Sequence, residues 1–183
     1  MAKLILNGST SGSVTLESPA VSGTTTLTLP TTSGTVITTG STFGGTGPAF
    51  SAYAVGNSSM TGGTLTKILF DTKLFDTNTN YSTSTSRFTP NVAGYYWISG
   101  QVTGQSACTG LCLASIYING SEYKRGTYVQ YSSSGTKFGV EGLVYCNGST
   151  DYVELYGQVP TTMNTFTNSS WFTWFNGAMV RTA

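Results

Sequence analysis

Residues 95–98, Tyr-Tyr-Trp-Ile, constrain this chain more than any other stretch. Side chains alternate between the two faces of a β-strand, so Tyr95 and Trp97 take one face and Tyr96 and Ile98 the other. Neither face is polar. A strand that is apolar on both sides belongs between two layers, such as its own core and a neighbouring subunit. The residues just before it, F-T-P-N-V-A-G at 88–94, carry a dense turn signal. Pro90 fixes its own φ, Asn91 tolerates turn conformations and Gly94 accepts angles closed to other residues, which predicts a sharp bend over 89–94.

The same period of two runs through the rest of the chain from residue 48, and no segment sustains a helical period. Phe50 to Val55 reads as a first strand, Gly62-Gly63 as a turn, and Leu65 to Phe75 as a pair of strands with Ile68 and Phe70 on one face. Residues 78–86 read as a polar loop. Ala114, Ile116 and Ile118 alternate with Ser115 and Tyr117 before Asn119-Gly120, the strongest short hairpin signal. Strands follow at 126–131 and 137–146 around a 132–135 turn, with Asn147-Gly148 as a second expected hairpin. Beyond it Val153, Leu155 and Val159 face one way and Tyr152, Glu154 and Tyr156 the other. The last strand, Trp171 to Val180, has aromatics on both faces, as 95–98 does. About eight to ten short strands with regular turns predict a sandwich or jelly roll.

Composition excludes several function classes. Charged residues are 8% of the 183, against about a quarter in an ordinary globular chain. The net charge of +1 comes with a single adjacent basic pair, Lys124-Arg125, so nothing points to nucleic acid. The longest apolar runs are too short to span a bilayer, and Leu4 to Leu6 after one lysine is not a signal-peptide core. There is no histidine, so neither a Ser-His-Asp triad nor a Cys-His pair can be built. Glu122, Glu141, Asp151 and Glu154 are carboxylates of the kind glycosidases pair, but they read as ordinary surface charge. Asp71 and Asp76 lie in a run without EF-hand spacing and read as solvated loop acids rather than calcium ligands. Three cysteines, Cys108, Cys112 and Cys146, lack the fourth ligand of a zinc site. Three free thiols, or a Cys108–Cys112 bridge across Thr-Gly-Leu, both remain open. No enzyme, metal or cofactor is expected.

Residues 1–47 are different in kind. Ser, Thr and Gly make up more than half of them, and Lys3 and Glu17 are the only charges. Short alternating units recur, S-V-T-L at 13–16, T-L-T-L-P at 26–30 and G-T-V-I at 34–37, each able to form a brief strand. The apolar residues Leu4, Leu6, Val14, Leu16, Leu27, Leu29, Val36 and Ile37 are too few to offset the entropy of ordering the segment alone. They read as a partner-binding arm, ordered only against another surface. Residues 40–47, with four glycines, read as a hinge. The chain thus divides into an arm and hinge, 1–47, and a β domain, 48–183.

The Phe88–Ile98 run resembles the signature of the C1q and tumour-necrosis-factor-like jelly-roll superfamily, Phe-Thr-x-Pro-x-x-Gly-x-Tyr-x-Phe. Here Pro90 follows Thr89 directly and Ile98 stands in place of the final Phe. P-A-F-S-A-Y at 48–53 resembles the family's opening strand, I-Y-I-N-G at 116–120 its central hairpin and F-N-G-A-M-V at 175–180 its last strand. The resemblance spans 48–183 and implies an all-β jelly-roll β-sandwich, homotrimeric, with aromatic strands around a three-fold axis. The interface residues expected on that basis are Tyr95, Trp97, Trp171, Phe172, Trp174 and Phe175. The arm is similar to a segment of bacteriophage virion proteins, G-S-T-S-G-S-V-T-L followed by T-L-T-L-P and S-G-T-V. That likeness implies a virion structural protein, made in the host cytoplasm and displayed on the capsid exterior.

Two readings follow. In the first, a trimeric capsid decoration or cement protein binds the major capsid protein or another virion protein through its arm, and binds neither nucleic acid nor membrane. In the second, the knob is a tail-fibre or spike tip that recognises the host surface, with Trp171, Trp174, Tyr128 and Tyr131 stacking on sugars. An arm this short has room for an anchor and hardly for a shaft, which favours the first.

Overall fold

In a computed structural model the chain is all-β across the described residues, 3–17, 23, 24, 26, 47–131 and 133–183. The expected arm residues Leu27, Leu29, Val36 and Ile37 lie outside them. Two compact units divide between residues 41 and 42. In the first, β1 (Lys3–Asn7) and β2 (Ser13–Glu17) pair antiparallel as a hairpin, with Leu4 opposite Leu16 and Leu6 opposite Val14.

The second unit contains β3 (Ala49–Tyr53), β4 (Ser59–Met60), β5 (Thr66–Lys67), β6 (Thr72–Asp76), β7 (Tyr81–Ser82) and β8 (Arg87–Phe88). Three eleven-residue strands follow in part, β9 (Ala93–Thr103) and β10 (Cys108–Ile118), then β11 (Ser121–Arg125), β12 (Val129–Tyr131) and the third long strand β13 (Lys137–Asn147). β14 (Val153–Gln158), β15 (Met163–Asn164) and β16 (Trp174–Thr182) complete it. One sheet has the order β13-β9-β16-β3-β6; the other runs β11-β10-β14-β8-β7, with β12 also on β10 and β5 also on β14. The two sheets pack over a single core. Phe50 is its centre, stacked on Phe88 at 4.4 Å and Tyr81 at 4.8 Å, with Phe175 edge-on at 5.0 Å.

Strand β9 shows the alternation at 95–98 directly: Tyr96 and Ile98 are fully buried, while Tyr95 and Trp97 face outward. The Tyr96 hydroxyl reaches back to donate to the Val92 carbonyl at 2.6 Å, tying the strand to the turn before it. Asn119 and Gly120 take φ of 53° and 79° and join β10 to β11, as the left-handed pair of a tight hairpin requires.

Asn147-Gly148 is not a hairpin. β13 pairs with β9 and β14 with β10, so the chain crosses from one sheet to the other there. The Asn147 side chain makes the turn, its Oδ1 accepting the N–H groups of Ser149, Thr150 and Asp151 at 2.9–3.1 Å. The 133–135 turn likewise joins β12, on β10, to β13, on β9. Ile68 and Phe70 are buried as expected, but in the link between β5 and β6 rather than within a strand.

Candidate functional site

The outward face of the five-stranded sheet has an apolar end. Register sets Tyr145 opposite Tyr95 and Leu143 opposite Trp97 on one side of β9, with Ala178 opposite Trp97 on the other. Tyr95, Trp97, Leu143, Tyr145 and Val180 are each 41–62% exposed. The Tyr95 and Tyr145 rings meet at 5.5 Å, beside a recess of about 700 Å³ whose lining includes Leu143, Val180 and Arg181. A contiguous apolar patch on a sheet face is the mark of an interaction surface. Leu143 and Tyr145 went unrecognised in the sequence, although they alternate with the buried Val144 and Cys146 just as Tyr95 and Trp97 do with Tyr96 and Ile98.

The structure does not bring all the expected interface residues to this patch. Phe175 is a correction: it is fully buried, edge-on to Phe50 and stacked on Phe70 at 5.6 Å, because its position on β16 points into the sandwich. Trp171 and Phe172 precede β16 on a turn, where Trp171 is 70% exposed and Phe172 packs on Phe166 at 4.8 Å. Trp174 shares the outward face with Trp97 but pairs with Gln101, at the opposite end of β9.

In the arm hairpin, Leu4, Leu6, Val14 and Leu16 share one face by register and are each 50–61% exposed. Ile5, on the other face, is exposed too. A two-stranded hairpin of this kind is marginal by itself, and among the described residues neither of its edges is paired further.

Of the four candidate carboxylates, Glu154, Glu122 and Asp151 are held by partners within the fold, while Glu141 is exposed on β13. Glu154, expected at the surface, is 1% exposed; it accepts from Lys67 Nζ at 2.5 Å and Arg87 Nε at 2.7 Å. Burial pushes its carboxyl up, but the hydrogen bonds from Arg87 and Lys67 outweigh burial and hold it below the usual range. Arg87 lies 4.0 Å over the Tyr152 ring. Glu122 accepts from Arg125 Nε and Nη2, each at 2.8 Å, which holds its carboxyl low. Asp151 accepts from Asn119 Nδ2 and the Asn147 N–H. Asp71 and Asp76 are loop anchors: Asp71 accepts the N–H groups of Val55 and Gly56, and Asp76 those of Asn80 and Tyr81. Among the described residues no group of three or more His, Cys, Asp or Glu is placed to hold a metal ion. Cys108 and Cys112 form a disulfide across a bulge in β10, and Cys146 is a buried free thiol.

No protein-family model matches the chain, and no curated protein matches it in sequence. Solved structures do. The chain is similar to the globular domain of zebrafish complement 1qA protein, at TM-score 0.56 and 16% identity over 75% of this chain and 99% of that one. Murine APRIL matches at TM-score 0.56 and 10% identity over 73% of this chain and 98% of its own. The PRD1 vertex protein P5 matches at TM-score 0.51 and 18% identity over 75% of this chain and 100% of its own. The fold is therefore the C1q/TNF-like jelly-roll β-sandwich.

Proposed function

We propose that the protein is a bacteriophage virion structural protein, a trimeric capsid decoration or cement protein. Its jelly-roll knobs associate through Tyr95, Trp97, Leu143, Tyr145 and Val180, and its arm fastens neighbouring shell subunits. The observation that carries this reading is the arm hairpin, whose quartet of Leu4, Leu6, Val14 and Leu16 is exposed on a two-stranded sheet that cannot stand alone. Extended segments satisfy such a face by adding strands to a partner's sheet edge, with alternate side chains filling pockets. The near-absence of charge in the arm suits burial against a protein surface, and the vertex-protein neighbour supports a place in a virus particle.

Deleting residues 1–39 is expected to leave a folded knob that no longer binds particles. Particles lacking the protein are expected to lose resistance to heat or osmotic shock while still adsorbing to cells. Robust particles that fail to adsorb would instead support the tail-fibre or spike-tip reading, which the exposed Trp171, Tyr128 and Tyr131 favour.

A further inference from the structure

We propose that the polar end of the same sheet face is a carbohydrate-binding cleft. Beyond Trp97 the outward residues of β9 change from aromatic to Ser99 and Gln101, and the face opens into a cleft of about 530 Å³. That volume suits a mono- or disaccharide and lies within the range of small-ligand sites. Trp174 stands opposite Gln101 on one side of β9, and Gly139 stands opposite Gln101 on the other; in the next row Ser99 faces Glu141. Gln101, Ser99 and Gly139 thus lie between an indole and a carboxylate two strands away, roughly 10 Å across. The floor is bare backbone by necessity. A Cβ on Gly126, just after β11, would collide with the Gly139 carbonyl oxygen, and one on Gly139 would come within 2.9 Å of the Gly100 carbonyl oxygen.

The polar groups around the cleft call for hydroxyl donors. Gln101 Nε2 already donates to the Trp171 and Phe172 carbonyls at 3.2 and 2.8 Å, which leaves its Oε1 as an acceptor. Glu141 is exposed and makes no ion pair among the described residues. Arg125 offers further N–H donors, but its charge is met by Glu122, so the cleft does not select an anion. An indole for the apolar face of a pyranose, with acceptors around its rim, is the arrangement a neutral hexose needs.

The proposal does not rest on the virion reading, and its test uses the purified full chain, so either can fail alone. Saturation-transfer NMR and calorimetry with methyl glycosides of glucose, galactose, mannose and N-acetylglucosamine are expected to show saturable binding of at least one. Trp174→Ala is expected to weaken it at least about tenfold, as loss of an aromatic anchor does, and Glu141→Gln to weaken it by less. Trp171→Ala, outside the cleft, is expected to leave it unchanged. If Trp174→Ala does not fold, Trp174→Phe and Glu141→Gln carry the test. No saturable response to any of the four sugars overturns the proposal, as does a response that these variants leave intact or that Trp171→Ala removes. A second copy sealing the cleft would give the first of these results.

Discussion

Glu154 shows how much a single side chain can carry in a chain with so few charges. Its carboxylate is buried on the outer side of β14 and is held by Lys67 from β5 and Arg87 from β8, so it ties together two of the shortest strands in the sheet. Glu154→Gln is expected to cost about 2–3 kcal/mol at neutral pH, since it leaves two cations without their counter-charge. The pH dependence follows from the lowered carboxyl: the stabilisation is complete above the ordinary carboxylate range and is lost as pH falls through the lower folded value. Thermal melts from pH 7 downward are expected to stay level until that range and then fall. In Glu154→Gln the fall is shallower, and the part that remains reports Glu122 and Asp71, whose carboxyls are also held low. A melt whose acid limb is unchanged by the substitution would remove Glu154 from this role. Cys146 makes a second residue-scale prediction. Burial pushes its thiol up to about 12, with Asp151 adding to the effect. Alkylation at pH 8 is therefore expected to modify no cysteine in the native protein, one after unfolding without reductant, and three after reduction.

At the scale of elements, the β10–β11 hairpin and the crossing from β13 to β14 are fastened to each other. Asn119 takes φ 53° within the hairpin turn while its Nδ2 donates to Asp151 and its Oδ1 accepts the Tyr152 N–H. One asparagine thus sets a turn and anchors the next sheet crossing. Asn119→Ala loses both bonds and the side chain that best tolerates that backbone, at an expected cost of about 1–2 kcal/mol. Urea unfolding is expected to show a lower midpoint with an unchanged slope. An unchanged midpoint would mean that solvent replaces both bonds without penalty. The arm hairpin is the opposite case, because Leu4, Leu6, Val14 and Leu16 share an exposed face that no second layer covers among the described residues.

For the whole molecule, the division of one sheet face into an apolar and a polar end organises the proposed activities. Trp97→Asp places a charge at the centre of the apolar end; if that end joins subunits, sedimentation is expected to show monomer or aggregate in place of trimer. An unchanged trimer would remove Trp97 from the interface. A chain beginning at Pro48 retains every aromatic of the core and the Pro48 carbonyl that accepts the Met179 N–H, and is expected to melt cooperatively. Insolubility of that shorter chain alongside a well-behaved full chain would place the domain boundary elsewhere.

The sequence by itself determined the all-β class, the inward and outward sides of β9, the Asn119-Gly120 turn and the jelly-roll class. Each of these depends on neighbours a few residues apart, through alternation, turn chemistry and a short motif. Tertiary structure decided which sheet each strand joins, and with it everything that depends on pairing across the fold. Asn147-Gly148 carries the same local signal as Asn119-Gly120, yet it crosses between sheets because β13 and β14 find their partners in β9 and β10. Phe175 and Trp174 are adjacent aromatics, and only the packing of β16 sends one into the core and the other to the cleft. Glu154 reads as a surface charge until Lys67 and Arg87, 87 and 67 residues away in sequence, are brought over it. The cleft was invisible for the same reason: Trp174, Gln101 and Glu141 lie on three strands, and alternation along one strand carries no information about the register of the next.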